Sequence, residues 1–256
     1  GGNAVAFINE TNELETLAEH WNPQSVIHQI DFQRKGKTPY EQECVREANR
    51  RAVPAHRAAQ QAFMAGASEV QIAAAYLAAC DCRESEMPYG IIAGVNEHAA
   101  VLHHHDLFKQ PQAPRSFLID AGVEVNGYAS DITRTYAYDS GSDFADMIEL
   151  MDNKQLELCA EGGIGKSPVE IHVLSQYKIA EVLIEFGVLN MSAEDAVVND
   201  VAASFYPHGL GHHLGCNVHD KGGQLANAQG DILPPPEKYP KLRSGAPMVA
   251  NQIHTV

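Results

Sequence analysis

One segment holds most of the chemical information in this sequence: Tyr206-Pro-His-Gly-Leu-Gly-His-His-Leu-Gly-Cys-Asn-Val-His-Asp220, called here the histidine segment. His208 and His212 are four residues apart, but the glycines around them disfavour a helix and favour irregular or extended backbone that a neighbour can approach closely. Neutral imidazole binds borderline divalent cations, and a histidine without a metal can carry a proton near neutral pH. The segment therefore predicts a reactive site, with a glycine-rich loop bearing solvated histidines as the alternative.

A pair of aspartates lies in a second region of mostly apolar sequence. Asn126-Gly127 is a strong signal for a two-residue hairpin turn between strands over 116–123 and 128–136. That turn pairs Asp120 with Thr133 and places Asp131 opposite Gly122. Because side chains alternate along a strand, both carboxylates then lie on one face as diagonal neighbours, about 7–8 Å apart at Cα. We expect the missing side chain at Gly122 to leave space for an ion.

Two carboxylates this close repel each other unless a positive charge compensates them. Carboxylates suit harder cations such as Mn²⁺, whereas imidazole suits borderline ones. Asp120, Asp131 and the histidine segment together predict a hydrolytic site for one or two divalent ions, with Mn²⁺, Co²⁺ or Zn²⁺ as candidates. The alternative is a solvated sheet face that carries Asp131 beside a strand-end Asp120.

Composition excludes several other classes of function. The chain has 256 residues with 18 Lys+Arg against 33 Asp+Glu, a formal charge of −15, which argues against nucleic acid or an anionic membrane as partner. No apolar run is long enough to span a bilayer, and no secretory signal is visible. Five scattered cysteines are typical of reduced thiols, so we expect a cytoplasmic protein. No Gly-x-Ser-x-Gly motif supports a serine hydrolase.

The pattern of helix caps and turns predicts the order of the elements. Thr38, Pro39 and Glu41 indicate a capping box at the start of a long helix that reaches about Ala65, with a kink or break where Pro54 lies inside it. Ser68 caps a second helix. Two further helices, two loops and three strands are predicted in these ranges: helices 142–160 and 169–186, loops 189–200 and 226–245, strands 89–95, 98–103 and 248–256. The polar residues 35–39 are interpreted as a domain boundary, after a short strand over 4–8 and a short helix over 12–20.

The motifs Leu118-Ile-Asp-Ala-Gly122, Asp131-Ile-Thr-Arg-Thr135 and His208-Gly-Leu-Gly-His212 resemble those of the pita-bread metallopeptidases, most of all the bacterial Xaa-Pro dipeptidases (prolidases). The similarity covers roughly residues 20–256. It implies an α/β (α+β) pita-bread catalytic domain with pseudo-twofold halves and a mostly antiparallel, curved sheet, over residues 36–256. Residues 1–35 would be the remnant of an amino-terminal domain and linker. The second half would be incomplete at the carboxy terminus.

The resemblance also implies roles for individual residues. Asp120, Asp131 and His212 would be metal ligands, with Asp131 bridging two ions. His103, His208 and His219 would be catalytic, and Tyr89, His103 and His219 would contact the substrate. Whether His103 or its neighbour His104 is the site histidine stays open at this stage.

The implied reaction is hydrolysis of the imide bond before a carboxy-terminal proline by hydroxide activated at two divalent ions, Mn²⁺ first. The resemblance further implies a possible side activity on organophosphorus triesters and a homodimer. Two ligand glutamates of the family would lie beyond Val256, so this chain is expected to lack them. Aminopeptidase P is the alternative within the family, and a non-catalytic pita-bread binding module is the alternative outside enzymes.

Overall fold

The computed structural model describes residues 6–8 and 20–256. Strands β1 (Ala6–Phe7) and β2 (His20–Trp21) form a short parallel pair. The strand predicted over 4–8 thus appears in its described part, whereas the helix predicted over 12–20 lies, up to residue 19, outside the described residues. Helix α1 (Gln24–Gln33) follows.

Two helices form one layer of the fold. Helix α2 (Pro39–Met64) begins with the predicted capping box of Thr38 and Glu41, and helix α3 (Glu69–Cys80) begins with a capping box of Ser68 and Gln71. Of the kink or break predicted at Pro54, the break does not occur, because α2 continues through this residue. The buried residues of α2 recur every three or four positions and face α3 and the sheet: Val45, Ala48, Ala52, Ala55, Ala59, Phe63.

The central sheet confirms the predicted hairpin register. Strands β3 (Ile92–Val95), β4 (Ser116–Ala121) and β7 (Ile132–Ala137) are antiparallel in the order β3-β4-β7. Strands β5 (Glu124–Val125) and β6 (Tyr128–Ala129) flank the Asn126-Gly127 turn, and Asp120 pairs with Thr133 as expected. Asp120 therefore lies near the end of β4 that leads into the hairpin.

Gly122 has a different role from the one predicted. A Cβ at this position would lie 2.0 Å from the backbone oxygen of Ser130 and 3.0 Å from Cγ of Pro88. The glycine therefore makes room for the opposing backbone, not for an ion beside Asp131. The interpretation of an open space was wrong because it considered the side chain alone and ignored how closely the two chains approach.

We expect Gly122→Ala to lower the free energy of unfolding by about 1–3 kcal/mol or more, because the methyl group overlaps a backbone atom that cannot move independently. Urea denaturation measures this change. Gly163→Ala is the matched control, since a Cβ there has no neighbour within 4 Å. Equal stability of both variants would contradict this account of Gly122.

The segment between β3 and β4 is irregular, not a strand as predicted over 98–103. It begins with a 3₁₀ turn at Asn96–Ala100, and His103 then adopts a left-handed backbone with φ of 55°. A residue distant in sequence holds this segment: the buried Glu69 carboxylate accepts hydrogen bonds from the backbone N–H groups of Val95 and Phe108, which fixes both ends of the segment at the start of α3.

The second half of the chain contains helices α4 (Asp143–Glu161), α5 (Pro168–Glu185), α6 (Ala193–Val198) and α7 (Val201–Phe205). The first two confirm the predicted helices. Helix α6 contradicts the loop predicted over 189–200, because Ser192 caps it and Ala196 and Val197 pack on α5. Among the helices of the described ranges, none combines the length and the apolar character that a bilayer crossing requires.

The histidine segment, which lies wholly within the described residues, has neither helix nor strand, as predicted. It pairs with the chain end through a bridge of His213 with His254 and through a 3.0 Å hydrogen bond from the Leu214 N–H to the Ile253 carbonyl. The strand predicted over 248–256 is therefore limited to this contact. Residues 226–245 are irregular, as predicted.

The main core lies between α2, α3 and the sheet, and it contains His56. Its Nε2 lies 3.1 Å from the Ala121 carbonyl oxygen, and its ring packs edge-on against Tyr76. Its Nδ1 is buried and has no hydrogen-bond partner among the residues that the structure describes. Burial lowers the pKa of His56, and the Ala121 contact only partly opposes this. Protonation would place a hydrogen on Nδ1 where no acceptor is available.

Lowering the pH is therefore expected to destabilise the protein through His56. Below its ordinary pKa of about 6.5 the unfolded chain takes up a proton that the folded chain does not, so stability falls as pH falls through that value. His56→Gln, which retains an amide donor for Ala121, should flatten the pH dependence by up to about 1.4 kcal/mol per pH unit. Urea denaturation at several pH values between 5 and 7.5 tests this, and an unchanged slope would contradict it.

Candidate metal centre

The two aspartates meet at one hydroxyl group. The Tyr89 hydroxyl lies 2.7 Å from Oδ1 of Asp120 and 2.8 Å from Oδ1 of Asp131. A tyrosine hydroxyl has one proton, so it can donate to only one of the two carboxylates at a time. The second contact then requires a proton on a carboxyl group, or a cation that takes its place. The sequence analysis placed Tyr89 in the substrate pocket and missed this bridging contact.

The pKa shifts of the pair reflect that conflict. Burial, together with the charge of Asp131, raises the pKa of Asp120. Burial also opposes ionisation of Asp131, but hydrogen bonds from His212 and Tyr89 outweigh it and lower the pKa of that carboxyl. Burial and the two carboxylates raise the pKa of Tyr89. The arrangement therefore favours one ionised and one protonated carboxyl until a cation compensates both.

His212 presents a nitrogen lone pair to the same place. Its Nδ1 lies 3.0 Å from the His213 carbonyl oxygen, which only an N–H can satisfy, so the neutral ring has its lone pair on Nε2. That Nε2 lies 3.0 Å from Oδ2 of Asp131, an acceptor that faces another acceptor. A proton or a metal ion must lie between them. A backbone carbonyl that orients the second nitrogen is the usual support of a metal-binding histidine.

The cavity in front of this centre has a volume of about 1410 Å³, and its lining includes the predicted site residues His103, His208 and His219. The rings of His212 and His219 are 4.4 Å apart at their centroids, and those of His103 and His208 are 6.3 Å apart. His103 lines the cavity, whereas His104 is buried and contacts Glu69 instead. The geometry thus favours His103 of the two histidines that the sequence left open.

The glycines of the histidine segment allow close backbone contacts, as predicted. A Cβ on Gly211, which has φ of +55°, would lie 1.8 Å from the Thr255 carbonyl oxygen, and one on Gly209 would lie 2.5 Å from Cα of Leu242. The Thr255 hydroxyl also accepts a 3.1 Å hydrogen bond from the His212 N–H. Residues 241–242 and 255 therefore fix the backbone on which His212 is carried.

Asp220 anchors the far end of the histidine segment and was missed by the sequence analysis. Its carboxylate contacts the guanidinium of Arg34 and, at 2.7 Å, Nζ of Lys37, and the Lys37 and Asp220 side chains are each 1% exposed. Lys35 is also buried and donates to the Leu225 carbonyl at 2.9 Å. Within the polar residues 35–39, which were interpreted as a domain boundary, the side chains of Lys35 and Lys37 are thus buried. The division at residues 35–36 itself stays a prediction.

The donor set fits a divalent transition-metal ion. Two carboxylates and one imidazole converge, and one of the contacts among them lacks the proton that a hydrogen bond requires. The ligand types match a borderline or moderately hard cation. Asp120, Asp131 and His212 are the residues that would hold the ion. A comparison of the sequence with known families then matches residues 43–256 to metallopeptidase family M24. This chain belongs to metallopeptidase family M24.

Individual relatives agree with the family match. The chain is 44% identical over 236 residues to the Xaa-Pro dipeptidase of Pseudoalteromonas haloplanktis, covering 92% of this chain and 54% of that protein. It is 47% identical over 223 residues to the Xaa-Pro dipeptidase of Xanthomonas euvesicatoria pv. vesicatoria (strain 85-10), covering 87% and 51%. The chain therefore spans about half the length of the curated relatives that it matches.

Solved structures of the same fold include aminopeptidase P from Escherichia coli in its low-pH form, with a TM-score of 0.71, 21% identity and coverage of 97% of this chain and 66% of that chain. Proline aminopeptidase P II from Yersinia pestis has a TM-score of 0.67 and 23% identity, with coverage of 93% of this chain and 59% of that chain. These likenesses, with the mixed helices and antiparallel sheet, confirm the predicted α/β pita-bread fold.

Proposed function

We propose that this M24 protein is a metal-dependent Xaa-Pro dipeptidase, in which Asp120, Asp131 and His212 are three of the ligands of two divalent ions. One observation carries the proposal: the acceptor atoms Nε2 of His212 and Oδ2 of Asp131 face each other at 3.0 Å, so a proton or a cation must lie between them. The carboxylates of Asp120 and Asp131 also share the single hydroxyl of Tyr89. Two relatives that are 44% and 47% identical to this chain are Xaa-Pro dipeptidases. When bound, such ions lower the pKa of water and polarise a carbonyl group.

The surrounding histidines supply proton transfer in this proposal. Burial, then the charge of His212, lowers the pKa of His219, and burial with the nearby His103 and Lys241 lowers the pKa of His208. Both rings are therefore neutral near pH 7 and able to accept a proton or to donate one N–H. His103, whose ring centroid is 6.3 Å from that of His208, would hold the substrate carbonyl or carboxylate. Tyr89 would orient the two aspartates.

Two positively charged side chains, Lys241 and Arg243, complete the proposed substrate site. Lys241 and Arg243 line the cavity together with His219, in a protein whose net charge is −15. Such local positive charge suits the free carboxylate of a short peptide, and guanidinium groups bind carboxylates in a bidentate manner. A dipeptide that ends in proline presents its carboxylate close to the scissile bond. Sequence analysis missed both residues because Pro240 to Arg243 resembles an ordinary loop.

Aminopeptidase P is the second candidate, and the structural likeness to two such enzymes favours it. That likeness rests on 21% and 23% identity and reports the fold, whereas the dipeptidase relatives are about twice as similar in sequence. A non-catalytic binding module is the third candidate. It predicts metal or peptide binding without turnover.

The proposal has four further parts, and two of them, the homodimer and the organophosphate activity, rest on the resemblance of the motifs alone. The four parts are Mn²⁺ as the resident metal, a homodimer, a cytoplasmic location, and a side activity on organophosphorus triesters. The mixed carboxylate and imidazole ligands support Mn²⁺, and they also suit Co²⁺ and Zn²⁺. We propose a small peptide as the partner, with neither nucleic acid nor membrane, because the chain is acidic.

The test compares Ala-Pro with Ala-Pro-Ala as substrates of the full-length protein, after removal of metal by a chelator and addition of Mn²⁺. The proposal predicts Mn²⁺-dependent release of proline from Ala-Pro and little reaction with the tripeptide. Preference for Ala-Pro-Ala would assign the protein to the aminopeptidase P activity instead. Stoichiometric Mn²⁺ binding with neither substrate cleaved would support the binding module.

A further inference from the structure

A second cluster of metal-binding side chains lies outside the candidate centre. Glu69, His98 and His104, called here the Glu69 triad, bring one carboxylate and two ring nitrogens to within 4.8 Å of one another. Nδ1 of His98 lies 2.7 Å from Oε1 of Glu69, and Nε2 of His104 lies 2.9 Å from Oε2. Within the described residues, the lining of the large cavity includes none of the three. The triad is thus separate from Asp120, Asp131 and His212.

We propose that the Glu69 triad is a binding site for a zinc-class divalent cation. One carboxylate with two histidines is an established ligand set for zinc with an open fourth position. Two imidazoles favour Zn²⁺, Co²⁺ or Ni²⁺ over Mg²⁺ and Ca²⁺, which prefer oxygen ligands. The ion would replace the protons that now join each imidazole to the carboxylate.

The distances need only a small adjustment. Ligands on a tetrahedral zinc ion, with bonds of about 2.0–2.2 Å, are roughly 3.3–3.5 Å from one another. The two imidazole-to-carboxylate contacts are 2.7 and 2.9 Å, so they would open by about 0.4–0.8 Å. The His98 and His104 rings already lie stacked, with centroids 4.6 Å apart and planes inclined by 23°, so both nitrogens face the same carboxylate.

The carboxylate has the outer support that metal ligands need. The Val95 N–H donates to Oε1 of Glu69 at 2.9 Å and the Phe108 N–H donates to Oε2 at 2.8 Å, so each oxygen is oriented by one backbone donor. Burial raises the pKa of Glu69, but these hydrogen bonds and those of the two histidines outweigh it and lower the pKa. The group is therefore ionised and available as a ligand. Fixed outer partners of this kind are what a preformed site requires.

An ion can reach the site from solvent. The Glu69 side chain is 1% exposed and that of His104 is 7% exposed, but that of His98 is 22% exposed. The open fourth position would lie on the His98 side, where a water molecule could complete the coordination. A bound ion would also tie α3 to residues 95–108, the segment that carries His103.

The test measures zinc binding by the full-length protein carrying Asp120→Asn and Asp131→Asn, so that the first centre is disabled. After treatment with a chelator, calorimetric titration with Zn²⁺ should still show one ion bound per chain. Adding His98→Gln should weaken that binding at least about tenfold, since loss of an outer partner alone has that effect. His105→Gln is the matched control, because this exposed neighbour lies outside the triad. It should leave the affinity unchanged.

Two results would overturn the proposal: no zinc bound by the protein with both asparagines, or equal affinity with and without His98→Gln. Either would mean that protons alone join the triad. Thermal melting checks that each variant is folded. If His98→Gln does not fold, ¹⁵N spectra of the histidine rings in the parent protein decide. Zinc-dependent shifts at Nδ1 of His98 and Nε2 of His104 support the site, and unshifted signals contradict it.

Discussion

Asp131→Asn is expected to abolish Mn²⁺-dependent hydrolysis of Ala-Pro by the full-length protein, with a loss of at least about a thousandfold in kcat/KM. Asp131 contacts both His212 and Tyr89, so it is the ligand through which the three groups are joined. Removing its charge takes several kcal/mol of electrostatic stabilisation from the reacting centre. The steady-state rate at saturating Mn²⁺ measures the effect.

The fold should survive this change. Asparagine has the same shape as aspartate, and its neutral amide relieves the repulsion with Asp120. The far-ultraviolet circular dichroism and the melting temperature should therefore stay close to those of the parent. Asp139→Asn, at an exposed position just after β7, is the matched control and should retain full activity. Turnover by Asp131→Asn within tenfold of the parent would remove Asp131 from the proposed centre.

Asp220→Asn is expected to destabilise the protein by about 3–5 kcal/mol, because it leaves a buried lysine without its counter-ion. The Lys37 and Asp220 side chains are both 1% exposed and their charged atoms are 2.7 Å apart. Arg34 shares the same carboxylate, so two cations would face a neutral amide. The free energy of unfolding from urea denaturation measures the loss.

Glu43→Gln provides the comparison for an ion pair of the same kind on the surface. Glu43 contacts Arg46 and Arg50, but its side chain is 57% exposed, so its loss should destabilise the protein far less than the loss of Asp220. Combining Lys37→Met with Asp220→Asn should recover part of the stability, since no unpaired lysine then remains. Equal urea midpoints for Asp220→Asn and Glu43→Gln would disprove the buried pair.

Local signals in the sequence predicted much of the fold. The capping box at Thr38, the helix cap at Ser68 and the Asn126-Gly127 turn depend on residues within a few positions of one another, and the structure confirms all three. The hairpin register then placed Asp120 opposite Thr133 correctly. The predicted strand over 98–103 is absent, and Glu69, about thirty residues earlier, binds the backbone N–H groups of Val95 and Phe108 on either side of it. Period-two patterns cannot report such a distant partner.

In the candidate site too, local sequence signals were predictive and long-range contacts were not. Residue type and motifs singled out Asp120, Asp131 and His212 as candidate ligands. In the structure the Tyr89 hydroxyl contacts both aspartates, and His212 contacts Asp131. Asp220 and its lysine partner were missed because a charged residue in a polar stretch usually indicates solvent. Only the packing of residues 34–37 beneath the histidine segment makes that pair buried. Long-range burial of charge has no signature in the local sequence.

The central claim is that Asp120, Asp131 and His212 hold divalent metal. Anomalous diffraction at the manganese edge, from crystals of the full-length protein soaked in Mn²⁺, tests this claim most directly. The account predicts anomalous peaks within about 2.0–2.3 Å of the three ligand atoms, with Tyr89 no longer bridging the two carboxylates. Crystals that bind Mn²⁺ elsewhere, with no peak among these three residues, would contradict it.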